Sequence, residues 1–291
     1  MPVLSKLLPV AAVAFGFQAA CAAIFVPKAD EKYYDLCGSL GFLTTNLASI
    51  YYPTLKARLW DKSIVPLPPW PSPSTLSGRQ LVLNMMLTAW TVRLGTFLYS
   101  RAMRHGGDSR FDEAKHDPVK FTSFWLVQAT WVFAVGLPVY LVNTIPSAVD
   151  PRLRTRDYLS IALMLGSWMF EIVADNQKAQ WRHEKNNKHH DEKFITRGLW
   201  GISRHPNYVG EVGIWTGIWA LSVPALITPL FPRYTWIAAG VSPLLTWFAL
   251  RNVSGVPLLE EANDKKFGGD PGYEKYKKTV PVFWPWSQPS A

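Results

Sequence analysis

The chain has 291 residues, of which 48% are apolar, 18% are charged and 14 are tryptophans. A soluble domain of this size carries more charge and rarely so much tryptophan, whereas aromatic belts at membrane interfaces are rich in it. The net charge of +9 does not indicate nucleic-acid binding, because the basic residues lie in short segments between long apolar runs, as in the cytoplasmic loops of membrane proteins.

The apolar runs predict an all-α, polytopic membrane helix bundle with about seven transmembrane helices. In chain order these helices cover residues 3–26, 36–55, 81–98, 121–142, 158–174, 208–231 and 234–250. The proline-rich segment 53–77 is predicted to be irregular. Since no repeat or linker interrupts the chain, we expect a single membrane domain over residues 1–291.

The distribution of Lys and Arg predicts which end of the chain faces the cytoplasm. With seven spans, 20 of these residues fall on the side of the C-terminus and 9 on the side of the N-terminus, while Arg93 lies within the third span. By the positive-inside rule the C-terminus is cytoplasmic and the N-terminus is outside or lumenal. We therefore expect a multi-pass membrane protein surrounded by lipid, in the endoplasmic reticulum membrane if the chain is eukaryotic, with no nucleic-acid partner.

Residues 198–211, with the sequence GLWGISRHPNYVGE, place many polar side chains at the start of the sixth predicted span. Pro206 suits the first turn of a helix, on which Asn207 and Glu211 then share one face. A carboxylate so close to the membrane costs roughly 2–4 kcal/mol unless it is paired or hydrated. Either Glu211 forms a structural ion pair with Arg204, or the cluster lines a polar ligand pocket. We favour the pocket.

A second polar group follows the fifth predicted span. Glu171, Asp175, Lys178 and Arg182 are spaced by 4, 3 and 4 residues, which places them on one face of a helix that leaves the membrane. The simpler interpretation is a ladder of salt bridges, each worth only a few tenths of a kcal/mol. Glu171 fits this ladder least well because it lies deepest in the apolar run.

A third group lies at the end of the third predicted span and consists of Arg93, Tyr99, Arg101, Arg104 and Arg110. Arg101 is best explained as an ordinary positive-inside loop charge. Arg93 is different, because an arginine within the membrane needs a partner, either a bound phosphate or the carboxylates of the second group. No known spacing of metal ligands occurs in the chain, so we predict no metal site.

Several runs of the sequence together resemble the domain-of-unknown-function family that is related to steroid 5-alpha-reductases. They are EIVADNQK at 171–178, GLW, SRHPNY and GE within 198–211, VSGVPLLE at 253–260 with YEKY at 273–276, and RLG at 93–95 followed by DSRF at 108–111, where the usual Arg-Tyr of the family is Arg-Phe. The resemblance covers roughly residues 80–286. It extends more distantly to isoprenylcysteine methyltransferases.

The resemblance implies a helical membrane enzyme that binds NADPH on its cytoplasmic side. The implied reaction is hydride delivery to an electron-poor C=C bond of a lipophilic small molecule. The residues expected to line the cofactor pocket, from their positions and from the resemblance, are Arg93, Glu171, Asp175, Gln177, Arg182, Arg204, His205, Asn207, Tyr208 and Glu211.

The substrate is less defined than the cofactor. Steroid 5-alpha-reductases hold the substrate ketone with a glutamate in an early span, but residues 36–55 contain no acid here. This departure does not favour a 3-keto-steroid. The candidate catalytic residues are Tyr208, Glu211 and Tyr99, with Tyr51 as a further candidate proton donor.

Two other functions stay open. One is a membrane methyltransferase of the isoprenylcysteine type, which uses S-adenosylmethionine. Such enzymes share the motif Arg204-His205-Pro206-x-Tyr208, the pair Glu260-Glu261 and the later Tyr273 and Tyr276. A non-enzymatic lipid-binding membrane protein is the third possibility, although buried polar groups are costly to keep without a ligand. The full pattern from Glu171 to Glu211 favours the reductase.

Overall fold

The computed structural model describes residues 3–61, 66–105 and 111–288, and within these ranges the chain is helical with no β-strand. The helices are α1 (Val3–Phe25), α2 (Tyr34–Leu59), α3 (Gly78–His105), α4 (Pro118–Asn143), α5 (Thr155–Asn186), α6 (Pro206–Leu226), α7 (Thr235–Ala239), α8 (Val241–Phe248), α9 (Val256–Phe267) and α10 (Pro271–Thr279).

In the part of the chain that the structure describes, five helices are long and apolar enough to cross a membrane. They are Ser5–Phe25 within α1, Gly78–Arg104 within α3, and the whole of α4, α5 and α6. These helices confirm the prediction of a helical, multi-pass membrane protein. Helix α2 has the necessary length, with 26 residues, but is not among the five. The count of seven spans and the orientation of the termini stay predictions.

Several boundaries differ from those predicted: α3 and α5 extend to His105 and Asn186, beyond the predicted ends at 98 and 174. Helix α2 continues to Leu59 with Pro53 inside it, although the proline-rich segment was expected to be irregular from that residue. Helix α6 ends at Leu226, before a stretch that contains two prolines, rather than at residue 231. The predicted seventh span is divided into α7, α8 and a π-helical turn at Ala249–Val253, because α7 stops at Gly240.

The chain divides into two compact units. The first comprises the residues up to Arg156 together with Trp219–Ser242, and the second comprises Asp157–Ile218 together with the residues from Pro243 onward. Each unit therefore takes segments from distant parts of the chain. The single domain that the sequence suggests stays a prediction.

Buried polar side chains in the first unit bond to one another between apolar helices. The guanidinium of Arg79 pairs with Asp150 at 2.7 Å and donates through Nε to the carbonyl of Leu221 at 2.8 Å. The amide groups of Asn84 and Asn143 donate to each other at 2.8 and 2.9 Å. Such bonds give partners to groups whose burial would otherwise be costly.

Glycines allow α5 and α6 to approach closely in the second unit. A Cβ atom placed on Gly210 would lie 2.8 Å from both the Cβ of Glu171 and the carbonyl oxygen of Ser167. A Cβ on Gly217 would lie 2.7 Å from that of Met164. Since side-chain carbons do not approach so closely, these positions require glycine. The packing sets Glu171 beside the residue that precedes Glu211.

We expect Gly210→Ala to destabilise the protein by about 1–3 kcal/mol, because the added methyl group must push α5 and α6 apart. Gly166→Ala is the matched control, since Gly166 also lies within a helix but a Cβ there meets nothing within 4 Å. The control should be neutral or slightly stabilising. Thermal unfolding in detergent measures both, and equal melting temperatures would contradict this account of the contact.

Candidate functional site

The turn before α6 is tied to the C-terminal segment of the chain. Ser203 Oγ donates to the carbonyl of Phe283 at 2.6 Å and accepts from the backbone N–H of His205 at 3.2 Å. The backbone N–H of Arg204 donates to the carbonyl of Pro281 at 3.0 Å. Pro206 is the first residue of α6, as the sequence predicts. Residues far along the chain therefore fix the start of this helix.

Glu260 on α9 joins two side chains of the motif. Its carboxylate accepts from Arg204 Nη1 at 2.7 Å and from His205 Nε2 at 2.8 Å. The imidazole stacks on the ring of Tyr208, with 5.6 Å between centroids and 5° between planes. Arg204 therefore pairs with Glu260 on α9. Three predicted site residues lie together, with a carboxylate that was not predicted among them.

The other ring nitrogen of His205 is a buried acceptor. The residue is 2% exposed. In the neutral ring, Nε2 carries the proton because it faces the Glu260 carboxylate, which leaves a lone pair on Nδ1. Nδ1 has no hydrogen-bond partner among the described residues. Because buried polar atoms are normally satisfied, this atom marks a place where the donor of a ligand fits.

Burial lowers the pKa of the His205 imidazole below its usual value of about 6.5, and Lys178 and Arg204 act in the same direction, while the hydrogen bond to Glu260 opposes them. Below pH of about 6.5 the unfolded chain therefore binds a proton that the folded protein resists, so stability falls as the pH falls.

We expect the melting temperature of the wild type to drop between pH 7.5 and pH 5.5, and His205→Asn to lose part of that dependence. His189→Asn is the control, because His189 is exposed. Thermal unfolding at both pH values measures the effect. The same pH dependence in the wild type and His205→Asn would show that His205 does not titrate as argued.

A helical turn at Gly198–Gly201 docks on α5 and brings the first and second polar groups together. Gln177 Oε1 accepts from the backbone N–H of Leu199 at 2.9 Å. Trp200 Nε1 donates to the carbonyl of Ala174 at 3.0 Å. Gly198 has φ +62°, and a Cβ there would clash with the Gln177 amide, so the turn requires glycine. Two groups that are separate in the sequence thus belong to one site region.

Three predicted carboxylates of this region are buried. Glu171, Asp175 and Glu211 are 3%, 8% and 7% exposed, and all belong to the second unit. Glu211 Oε1 accepts from Trp215 Nε1, one turn along α6, at 2.9 Å. Asn207 is half-buried on the first turn of the same helix. The region therefore combines buried acid groups with amides and a buried arginine.

A family model described as "Protein of unknown function (DUF1295)" matches residues 70–280. The chain belongs to this family. The DUF1295 match runs from before α3 to the end of α10, so it includes Glu260 and the predicted site residues other than Tyr51. It confirms the resemblance seen in the sequence. No curated protein and no solved structure gives a significant match to the chain.

Two predicted residues of the DUF1295 chain, Arg93 and Tyr99, lie on α3 in the first unit. The ring of Tyr99 packs near that of Tyr33, with 6.0 Å between centroids. The hydroxyl of Tyr51 donates to a backbone carbonyl at 3.4 Å. Arg110 lies outside the described residues. That Arg93 and Tyr99 share one pocket with the residues of the second unit stays a prediction.

The second unit also contains a cavity of about 230 Å³ beside the C-terminal turns of α5. One predicted cofactor residue, Gln177, lines it, and another, Arg182, is exposed on the same part of α5. In residues 3–61, 66–105 and 111–288, no group of three side chains suited to a metal ion occurs. The cavity is lined by Gln177, Gln180, Trp181, Glu184, Ile195, Arg197 and Gly198.

Proposed function

We propose that this protein is an integral-membrane, NADPH-dependent reductase of a C=C bond in a lipophilic substrate. The observation that carries the proposal is the cluster of buried Arg204 and His205 with half-buried Glu260 at the start of a membrane-length helix, in which Nδ1 of His205 has no hydrogen-bond partner among the described residues. Charged and polar groups are costly to bury at such a place. A polar ligand supplies the reason to keep them.

The side chains of the region fit the donor and acceptor groups of NADPH. Exposed Arg182 and half-buried Lys178 suit phosphates, including the 2′-phosphate that distinguishes NADPH from NADH. Asn207 and the acid groups Asp175 and Glu211 suit ribose hydroxyls and the carboxamide, which carry donors. His205 Nδ1 adds an acceptor. On this reading Glu171 and Arg204 complete the polar wall.

When bound, NADPH supplies the hydride that adds to one carbon of the double bond. The chain itself must hold the substrate and deliver a proton to the neighbouring carbon. Tyr208 is our candidate acid, because its ring is fixed against His205 and its hydroxyl carries a transferable proton. Glu211 would orient the reacting groups one turn further along α6. Tyr99 is the alternative acid.

The membrane setting explains the substrate class. Helices α5 and α6 are each long and apolar enough to span the bilayer, so a lipophilic molecule reaches their surfaces from the lipid. The charged cofactor comes from the cytoplasm, towards which the predicted orientation opens this end of α6. In a eukaryotic cell the endoplasmic reticulum membrane provides both, and we propose that location.

A methyltransferase that uses S-adenosylmethionine is the second candidate. The observation that favours it concerns the residues that this chain shares with such methyltransferases. Glu260 binds Arg204 and His205, and the hydroxyl of Tyr276 donates to the carbonyl of Trp200 at 2.7 Å. Both functions therefore use the same region. They differ in the cofactor.

Cofactor titration of the purified protein in detergent tests the proposal. We expect saturable binding of NADPH, weaker binding of NADH because the 2′-phosphate is missing, and no binding of S-adenosylmethionine. Binding of S-adenosylmethionine alone would replace the reductase with the methyltransferase. Binding of neither, in a protein that melts cooperatively and still binds lipid, would leave the non-enzymatic lipid-binding protein.

A further inference from the structure

Two side-chain amides in the wall of the cavity beside α5 each have one atom without a hydrogen-bond partner among the described residues. Gln177 Oε1 accepts from the N–H of Leu199, so its Nε2 donors point away from that bond. Gln180 Nε2 donates to Glu184 Oε1 at 2.8 Å, which leaves its Oε1 as an acceptor. These partners fix the orientation of both amides. Within the described residues, Nε2 of Gln177 and Oε1 of Gln180 have no hydrogen-bond partner.

A free donor and a free acceptor thus lie three residues apart on one face of a helix. This pair complements a flat heterocycle that carries an amino group next to a ring nitrogen. Glutamine amides recognise the edge of adenine in this way, by accepting from its amino group and donating to its ring nitrogen. The remaining wall also suits such a ring, because Trp181 and Ile195 are apolar and buried.

The size and charge of the cavity limit what it holds. At about 230 Å³ it is smaller than the roughly 300–1,000 Å³ of ordinary ligand pockets, so it accommodates one ring system rather than a whole dinucleotide. Arg197 Nη2 binds Glu184 at 2.6 Å and its Nε lies 3.8 Å from the Glu192 carboxylate, which leaves Nη1 as a donor for a ligand. Gln180 and Arg197 are exposed, so ligand can enter from solvent.

We propose that this cavity receives the adenine ring of the dinucleotide, an inference that rests on the proposed NADPH-dependent function. The nicotinamide carboxamide also offers a donor beside an acceptor. The cavity suits adenine better, because it opens among exposed polar side chains, whereas hydride transfer requires the nicotinamide to be shielded from water. The buried cluster around His205 is the better place for the nicotinamide.

Gln180→Leu tests the inference, since it removes the acceptor at nearly constant volume from an exposed position. Asn176→Leu is the matched control, because Asn176 is an exposed amide on α5 outside the cavity. The probes are NADPH, 2′,5′-ADP, which carries adenine without nicotinamide, and nicotinamide mononucleotide, which carries the reverse. We expect Gln180→Leu to weaken NADPH and 2′,5′-ADP by roughly 5- to 10-fold. Gln180→Trp, which fills the cavity mouth, should weaken both further, with unchanged melting temperatures.

The outcomes separate this inference from the proposed function. If NADPH binds and reduces a lipid but neither Gln180 variant affects 2′,5′-ADP, the adenine site is wrong and the reductase stands. If the variants weaken only the binding of nicotinamide mononucleotide, the adenine site is again wrong and the reductase stands. If the variants weaken 2′,5′-ADP and S-adenosylmethionine while NADPH supports no reduction, the adenine site stands and the reductase fails.

Discussion

Glu260→Ala is expected to destabilise the protein by about 3 kcal/mol, because it leaves the buried guanidinium of Arg204 without its carboxylate. Removing one partner of a buried ion pair usually costs about 3–5 kcal/mol. We expect the lower end, since the Glu260 side chain is 18% exposed and water can partly replace it. His205 loses the same acceptor, so its ring is freed to turn away from Tyr208.

Glu261→Ala provides the matched control for this experiment. Glu261 is the next residue on α9, and its salt bridge to Lys265 at 2.7 Å lies on the exposed surface. Exposed pairs contribute little to stability, so the melting temperature should not change measurably. Thermal unfolding and NADPH titration of both variants are the measurements. A melting temperature of Glu260→Ala close to that of Glu261→Ala would contradict the buried ion pair.

Glu211→Gln is expected to reduce NADPH affinity by roughly 10- to 100-fold while the fold survives, because a hydrogen bond to a charged group contributes about 1.5–3 kcal/mol. Glutamine keeps the size of the side chain and an oxygen that accepts from Trp215 Nε1. The substitution therefore removes the negative charge and preserves the contact within α6. Because the charge is lost while the contact is kept, Glu211→Gln tests ligand binding rather than the stability of α6.

Asn207→Ala, one turn earlier on α6, is the control for Glu211→Gln. Asn207 has no charge to lose, so weaker cofactor binding in this variant reflects the ligand alone. The melting temperature and the NADPH affinity of both variants decide the outcome. A lower melting temperature of Glu211→Gln, with NADPH binding unchanged in both, would make the start of α6 a structural element only and remove the main support of the proposed function.

Local signals in the sequence predicted the long helices and the start of α6. Runs of apolar residues mark spans, and proline suits a first helical turn, so the beginning of α6 at Pro206 could be found from a few neighbouring residues. The i,i+4 spacing likewise identified Glu171 and Asp175 on one helix. Both are buried in the unit that also contains the start of α6.

Contacts between distant residues could not be predicted in this way. The bond between His205 and Glu260 joins residues 55 positions apart, and no periodic pattern relates them. Only chemical reasoning pointed to Glu260. A buried arginine requires an acid group, and Glu260 lies in one of the runs that resemble the family. Local spacing suggests only Glu211, which is nearer in sequence, as an alternative partner of Arg204. The break after α7 was missed because hydropathy does not register a single glycine at position 240.

The two backbone carbonyls that hold Ser203 and Arg204 have a consequence for the order of assembly. Pro281 and Phe283 are synthesised only after the whole of α6 has been made. During translation α6 therefore enters the membrane with an unfinished first turn. The cluster around Arg204 and His205 reaches its final geometry only after residues 281–283 have left the ribosome and folded back onto the start of α6. Membrane insertion of α6 and formation of this cluster are thus separate events in time.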